Sequence, residues 1–95
     1  MADVSSAETV LALLKTDLGV THTKRDKYFA ALIAAAAKML RTEGIILDLS
    51  DQADQLLLEM YAAHLHERRQ QPTMAMPRYL RAKINNRLCH QRMQG

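Results

Sequence analysis

The chain has 95 residues, a net charge of +3 and one cysteine. This length fits a single domain and is too short for a catalytic domain joined to a regulatory one. The lone Cys89 excludes an intramolecular disulfide and a cysteine-rich metal site, and it indicates a reducing compartment. The longest apolar run covers ten residues, 28–37, about half of what a bilayer span needs. With no signal-peptide pattern at the N-terminus, we expect a soluble protein without a membrane partner.

The apolar composition predicts the fold class. Leu, Ala and Met supply 34 of the 46 apolar residues, whereas Val and Ile supply only 7. Straight-chain and small side chains favour helices over pleated sheets. We therefore predict one all-α domain over residues 1–95, a small bundle of about four helices without a substantial β-sheet. Residues 1–5 are expected to be flexible and residues 93–95 frayed.

Capping residues and glycines predict the first two helices. The capping-box pattern in residues 5–8 predicts a helix from Ala7 to Leu18, ended by Gly19. Thr23, with Asp26 three residues later, predicts the start of a second helix that Gly44 closes. One face of this helix is bulky and must be core. The other face carries alanines that either favour the helix or allow a neighbouring helix to approach closely: Ala30, Ala34 and Ala37.

Residues 45–49 are apolar but too short and isolated for a sheet, so we predict an extended connector that packs on the core. Ser50 is predicted to cap a third helix from Asp51 to Gln70. Its first apolar stripe is Ala53, Leu56, Leu57, Met60, Tyr61 and His64, and its second is Leu58, Ala62 and Leu65. The second stripe predicts self-association, unless this long helix is surrounded by the other three.

The last third of the chain is strongly basic. Residues 63–95 hold seven Lys or Arg and one Glu, while residues 1–62 hold six Lys or Arg and nine Asp or Glu. Pro77 predicts the start of a fourth helix with the apolar stripe Leu80, Ile84 and Leu88. The Asn85-Asn86 pair predicts a kink or an early end. The basic residues of the fourth helix form either a solvated face or a contact surface for nucleic acid or an acidic protein.

No residue pattern predicts catalysis, a cofactor or a metal site. His64, His66 and Glu67 lack the i, i+4 histidine pair of a zinc helix, so we interpret His64 as a core or interface histidine with one hydrogen-bond partner. Phosphate loops, nucleophile elbows and paired carboxylates are absent, and we interpret Cys89 as a packed thiol. The turn before the fourth helix is too long for a helix-turn-helix. We expect a protein that is not an enzyme.

Several short stretches resemble one family over nearly the whole chain. In the second half they are Met60-Tyr61-Ala62-Ala63-His64-Leu65 with Arg68, Met76-Pro77-Arg78-Tyr79-Leu80-Arg81, and Asn85-Asn86-Arg87-Leu88. In the first half they are Leu14-Lys15-Thr16-Asp17-Leu18-Gly19, Arg25-Asp26-Lys27-Tyr28 and an Ala-rich helix that ends in Glu43-Gly44-Ile45. These stretches resemble the head–tail connector (adaptor, head-completion) proteins of tailed bacteriophages.

The resemblance implies a structural virion protein, made in the bacterial host cytoplasm, that forms a twelve-subunit ring at the head–tail junction. Its implied partners are its own copies, the portal protein, a tail or stopper protein, and passing double-stranded DNA through nonspecific contact. For subunit contact we predict Ala30, Ala34, Ala37, Leu58, Ala62 and Leu65. For portal or DNA contact we predict Arg78, Arg81, Lys83, Arg87 and Arg92. The alternatives are a small DNA-binding regulator that uses the basic last helix, and a helical interaction module without a nucleic-acid role.

Overall fold

The computed structural model describes the backbone of residues 2–94 and the side chains of residues 7–93. It contains four helices: α1 (Ala2–Leu18), α2 (Asp26–Thr42), α3 (Gln52–Gln70) and α4 (Arg78–Gln94). No strand occurs between residues 2 and 94. The predicted all-α bundle of four helices is confirmed. The molecule is flat, with principal extents of 41 × 38 × 18 Å, so its thickness is about that of two packed helices.

Helix α1 is longer than predicted. It begins at Ala2 rather than Ala7, so the predicted capping box lies inside the helix instead of at its start. The side chains of Ser5 and Ser6 lie outside the described residues. Residues 2–6 contain neither proline nor glycine, so the sequence has no helix breaker ahead of Ala7. The prediction of the N-terminal boundary was wrong for this reason.

The two glycines end α1 and α2 as predicted. Gly19 has φ +72° and Gly44 has φ +103°, and both values lie in the left-handed region that favours glycine. The predicted start of α2 was less accurate. Thr23 contributes only its carbonyl, which accepts from the Asp26 amide, while Arg25 is the N-cap and makes no side-chain capping bond.

The cap of α3 is Asp51 rather than the predicted Ser50. An Asp51 carboxylate oxygen accepts from the Ala53 amide at 2.9 Å. Ser50 lies one residue before the cap, and its hydroxyl donates to Asp48 at 2.6 Å. Helix α3 therefore begins at Gln52, one residue later than predicted.

Helix α3 lies at the centre of the molecule and packs against the other three helices. Leu58 is 2% exposed and Ala62 is fully buried, while Leu65 packs against the core. Leu58 and Ala62 are therefore internal, and their assignment to subunit contact was wrong because the other three helices surround α3. The assignment of the partly buried Leu65 stays a prediction. In the first stripe, Leu57, Tyr61 and His64 are buried, whereas Ala53 and Leu56 are exposed. Around α3, the other three helices contribute these residues to the same core: Val10, Leu14, Phe29, Leu32, Ala36, Leu40, Leu80 and Ile84.

The connector between α2 and α3 packs on the core as predicted, but with one exception. Ile45 is buried, and Leu47 and Leu49 are partly buried against the core. Ile46 is 75% exposed, because successive side chains of an extended segment point to opposite sides.

Helix α4 is held by its predicted apolar stripe. Leu80 and Ile84 are fully buried, and Leu88 packs partly against the core. The helix is continuous through residues 85 and 86 up to Gln94, so the Asn pair does not end it early. Both asparagines are exposed. The packing of Ile84 and Leu88 on either side of them holds the helix in place despite the poor helix propensity of asparagine.

Candidate interaction surface on the fourth helix

Arg87 is a partly buried anchor of α4, and its guanidinium is bound within the chain. Its guanidinium contacts both carboxylate oxygens of Asp54, at 2.7 and 3.1 Å, and also donates to the Ile46 carbonyl at 2.8 Å. The Asp54 side chain is only 2% exposed. The hydrogen bond to Asp54 raises the pKa of Arg87. Its assignment to portal or DNA contact was wrong, because a buried carboxylate binds this guanidinium inside the chain.

Asp54 and Gln91 extend this anchor to the backbone of the connector. Asp54 accepts from the Asp48 amide at 2.8 Å. The Gln91 side chain accepts from the Ile46 amide at 2.9 Å and donates to the Gly44 carbonyl at 2.9 Å. The start of α3, the connector and the second half of α4 are thereby joined through polar contacts.

Arg81 is partly engaged within the chain. Its guanidinium contacts the two carboxylate oxygens of Glu43 at 2.9 and 3.3 Å, and this hydrogen bonding raises its pKa. The Arg81 side chain is still 44% exposed. A partly exposed ion pair of this kind contributes about 1 kcal/mol or less to stability.

The other three predicted basic residues lie on the surface of α4. Arg78, Lys83 and Arg92 are exposed, and within residues 7–93 none of them forms an ion pair. Two large apolar side chains accompany them, Tyr79 at 60% exposure and Met93 at 81%. We call these five residues, Arg78, Tyr79, Lys83, Arg92 and Met93, the α4 outer face.

A cleft of about 520 Å³ lies beside the α4 outer face, where α4 meets the start of α3. Its walls carry both signs of charge, with aspartates from the connector and α3 opposite Lys83 and His90 of α4. Two hydrogen bonds from Ser50 lower the pKa of Asp48 at its rim. The lining residues are Asp48, Asp51, Ala53, Asp54, Leu57, Lys83, Asn86, Arg87 and His90.

The alanine side of α2 is only partly on the surface. Ala30 and Ala34 are exposed, while Ala37 is half-buried against the core. Ala30 also lines a small apolar depression of about 160 Å³, together with Ile33 and with Leu11 of α1. The neighbouring helix that approaches Ala30 is therefore α1 of the same chain.

His64 and Cys89 differ from their predicted environments. His64 is 4% exposed, as a core histidine should be, but its Nδ1 has no hydrogen-bond partner. Burial, and then the charge of Arg68, lower its pKa, which favours the neutral ring. Cys89 is exposed, so the prediction of a packed thiol was wrong; position 89 lies on the side of α4 opposite its apolar stripe. Among the residues described, no three His, Cys, Asp or Glu are grouped to hold a metal ion.

A buried acid on α3 escaped the sequence analysis. Glu59 is 5% exposed, and its Oε1 has no hydrogen-bond partner. Burial, and then the hydrogen bond and the charge of Asp17 on α1, raise its pKa to about 8. No signal in the sequence indicated this burial, because Glu59 lies on the polar side of α3, away from both apolar stripes.

Comparisons with protein-family models, with curated proteins and with solved structures found no match. Within the described residues, every helix is too short or too polar to cross a membrane.

Proposed function

We propose that the chain is a head–tail connector subunit of a tailed phage or prophage. In this role it forms a ring at the portal vertex of the DNA-filled head and receives a tail or stopper protein. The observation that carries the proposal is the α4 outer face, a rigidly held surface of unpaired cations and large apolar side chains. Tyrosine, methionine and arginine are the residues enriched where proteins meet.

The anchors of α4 support this proposal. Arg87 and Gln91 fasten the inner side of α4 to α3 and to the connector, so Tyr79 and Met93 are presented on an ordered helix. A surface that is already ordered loses less conformational entropy on binding. Within the resembling stretches, Leu80, Arg81 and Arg87 hold α4 in place, which leaves Arg78 and Tyr79 for contact.

The flat shape also suits a ring. A closed ring needs two different contact patches on each subunit. We assign one to Ala30 and Ala34 of α2 and the other to Leu56 of α3, which is 49% exposed, so that the α4 outer face is left for the portal. Many identical copies make a firm attachment from a weak single contact.

The test is electron microscopy of the purified chain mixed with DNA-filled, tail-less heads of the phage that encodes it. We expect added density at the portal vertex and at no other vertex. Heads that accept tails from an extract yet show no density with this chain would contradict the proposal. Tight, sequence-selective duplex binding in that case would favour the DNA-binding regulator instead.

A further inference from the structure

Two guanidinium groups stack on one tyrosine ring where α2 begins and α3 ends. The Arg25 Cζ lies 4.3 Å from the centre of the Tyr28 ring, and the Arg69 Cζ lies 4.9 Å from the same centre. The Tyr28 hydroxyl contacts Nδ1 of His66 at 2.9 Å, which fixes the ring between the two helices. We call Arg25, Tyr28, His66 and Arg69 the Tyr28 cluster.

The Tyr28 cluster carries positive charge without a compensating carboxylate. Within residues 7–93, neither Arg25 nor Arg69 forms an ion pair. The nearby Asp26 is engaged by Lys15 at 2.8 Å. Exposed cations in the same two segments, at positions 24, 27 and 68, add to the charge, and the acidic residues of these segments are Asp26 and Glu67.

The position of Arg25 is unfavourable for the helix alone. A cation at a helix N-terminus opposes the macrodipole, and Arg25 also fails to cap the first turn with its side chain. The contacts of its guanidinium with the rings of Tyr28 and Phe29, at 4.3 and 5.4 Å from the ring centres, offset part of this cost. Stacking on Tyr28 orders the guanidinium in advance, so an anion that binds it costs less side-chain entropy.

We propose that the Tyr28 cluster is a phosphate-contact site for the backbone of duplex DNA. This inference rests on the proposed function, in which DNA passes through the ring, and it locates the DNA contact away from α4. Arginine forks match phosphate oxygens, and an exposed cationic surface that lines neither of the two clefts described above suits a phosphate backbone, which is read by charge and not by sequence. The α4 outer face is thereby left for protein partners.

The experiment measures binding of the purified full chain to a fluorescent random-sequence duplex by anisotropy, over a series of salt concentrations. Arg25→Gln/Arg69→Gln should weaken binding about tenfold or more at low salt, and should reduce the slope of log K against log salt by about two. Lys38→Gln/Arg41→Gln is the matched control, because it removes the same charge from exposed positions of α2 outside the cluster. We expect the control to change affinity by less than about threefold.

A second pair of variants tests the aromatic platform. Tyr28→Phe keeps the ring and loses the contact with His66, so DNA affinity should stay near that of the wild type. Tyr28→Leu removes the ring, and the loss should approach that of the double arginine variant. Circular dichroism shows whether each variant retains its helices.

Three results would overturn the inference: absence of duplex binding by the wild type at low salt, equal losses in the double variant and its control, or an unchanged salt slope in the double variant. Polyglutamate that competes as well as DNA would reassign the cluster to an acidic protein surface. Vertex attachment is measured separately. Density at the vertex together with an unaltered salt slope in the double variant would support the connector and reject the phosphate site. No density at the vertex together with a reduced salt slope would reject the connector and support the site.

Discussion

At the scale of single residues, the Asp54–Arg87 pair has the greatest influence on the fold. Asp54 is almost completely buried and accepts from both Arg87 and the Asp48 amide. A carboxylate is expensive to bury, and only this set of donors offsets the cost. The pair therefore fixes where α4 meets α3, although an apolar pair of similar size would not be less stable.

The first prediction compares a single and a double variant of this pair. Arg87→Met leaves a buried charge without a partner and should lower the free energy of unfolding by about 3 kcal/mol or more. Asp54→Leu/Arg87→Met should recover most of that loss, because it removes the charge as well. Urea unfolding monitored by circular dichroism measures both variants. A double variant less stable than Arg87→Met would contradict our account of the pair.

Glu59 gives the second prediction. Its pKa is raised from about 4.5 to about 8, so the folded protein holds a proton that the unfolded chain has released over that range. The contribution of Glu59 to stability should therefore be greatest at the acidic end and should fall as the pH rises from about 5 to 8. Glu59→Gln keeps a neutral side chain beside Asp17, so it should remove this pH dependence and add a few kcal/mol at pH 8.

Unfolding free energies across that pH range test this prediction. The matched control is Glu67→Gln on the exposed side of α3, which should retain the wild-type pH dependence. If Glu59→Gln and Glu67→Gln gave the same pH profile, the buried acid would not be its source.

At the scale of elements, the helix ends separate what the sequence predicts from what it does not. Gly19 and Gly44 ended their helices as predicted, because a positive φ is a local requirement. The predicted cap of α3 was wrong by one residue. Asp51 caps the helix, and the Ser50 hydroxyl donates to Asp48. Both residues are good caps in isolation, and only the surrounding hydrogen bonds decide between them.

The third prediction tests the cap of α3. Asp51→Ala should lower the free energy of unfolding by about 1 kcal/mol, because the Ala53 amide loses its acceptor. Ser50→Ala removes an exposed hydroxyl and should change it by less than about 0.5 kcal/mol. Chemical denaturation of both variants ranks the two positions, and a larger effect at Ser50 would restore the original assignment.

The apolar stripes show why helices were easier to predict than surfaces. Periodicity indicated the helix of residues 52–70 and its two stripes, but which stripe faces water depends on how many helices surround it. Leu58 and Ala62 proved to be core, while Leu56 lies at the surface. In the same way, the basic positions of α4 were visible in the sequence, but their partners Glu43 and Asp54 come from distant segments and were not.

At the scale of the whole molecule, the basic residues of α4 divide into anchors and exposed cations. Arg81 and Arg87 hold α4 to the rest of the chain, and Arg78 and Arg92 extend into solvent. The two exposed arginines are 14 positions apart, or about 21 Å along the helix. A partner that meets both must cover most of the length of α4.

The fourth prediction follows from this division. Arg78→Glu/Arg92→Glu should abolish attachment to tail-less heads and leave the helical content unchanged, because neither side chain supports the fold. Lys24→Glu/Arg68→Glu makes the same change of charge at exposed positions away from α4 and from the alanine face of α2, and should attach normally. Electron microscopy of the vertex measures attachment. Normal attachment of the α4 variant would exclude this helix as the portal contact.

The side-chain amide of Gln91 has a further consequence for how copies of the chain meet. It accepts from the backbone amide of Ile46 and donates to the backbone carbonyl of Gly44, at the exposed start of the connector between α2 and α3. Without it, that stretch would present free backbone groups beside the 75% exposed Ile46 side chain, the arrangement that invites strand addition between molecules. By occupying these backbone groups, Gln91 blocks strand pairing between molecules at this stretch. Copies of the chain held side by side at high local concentration would then meet through their helices instead of pairing as strands.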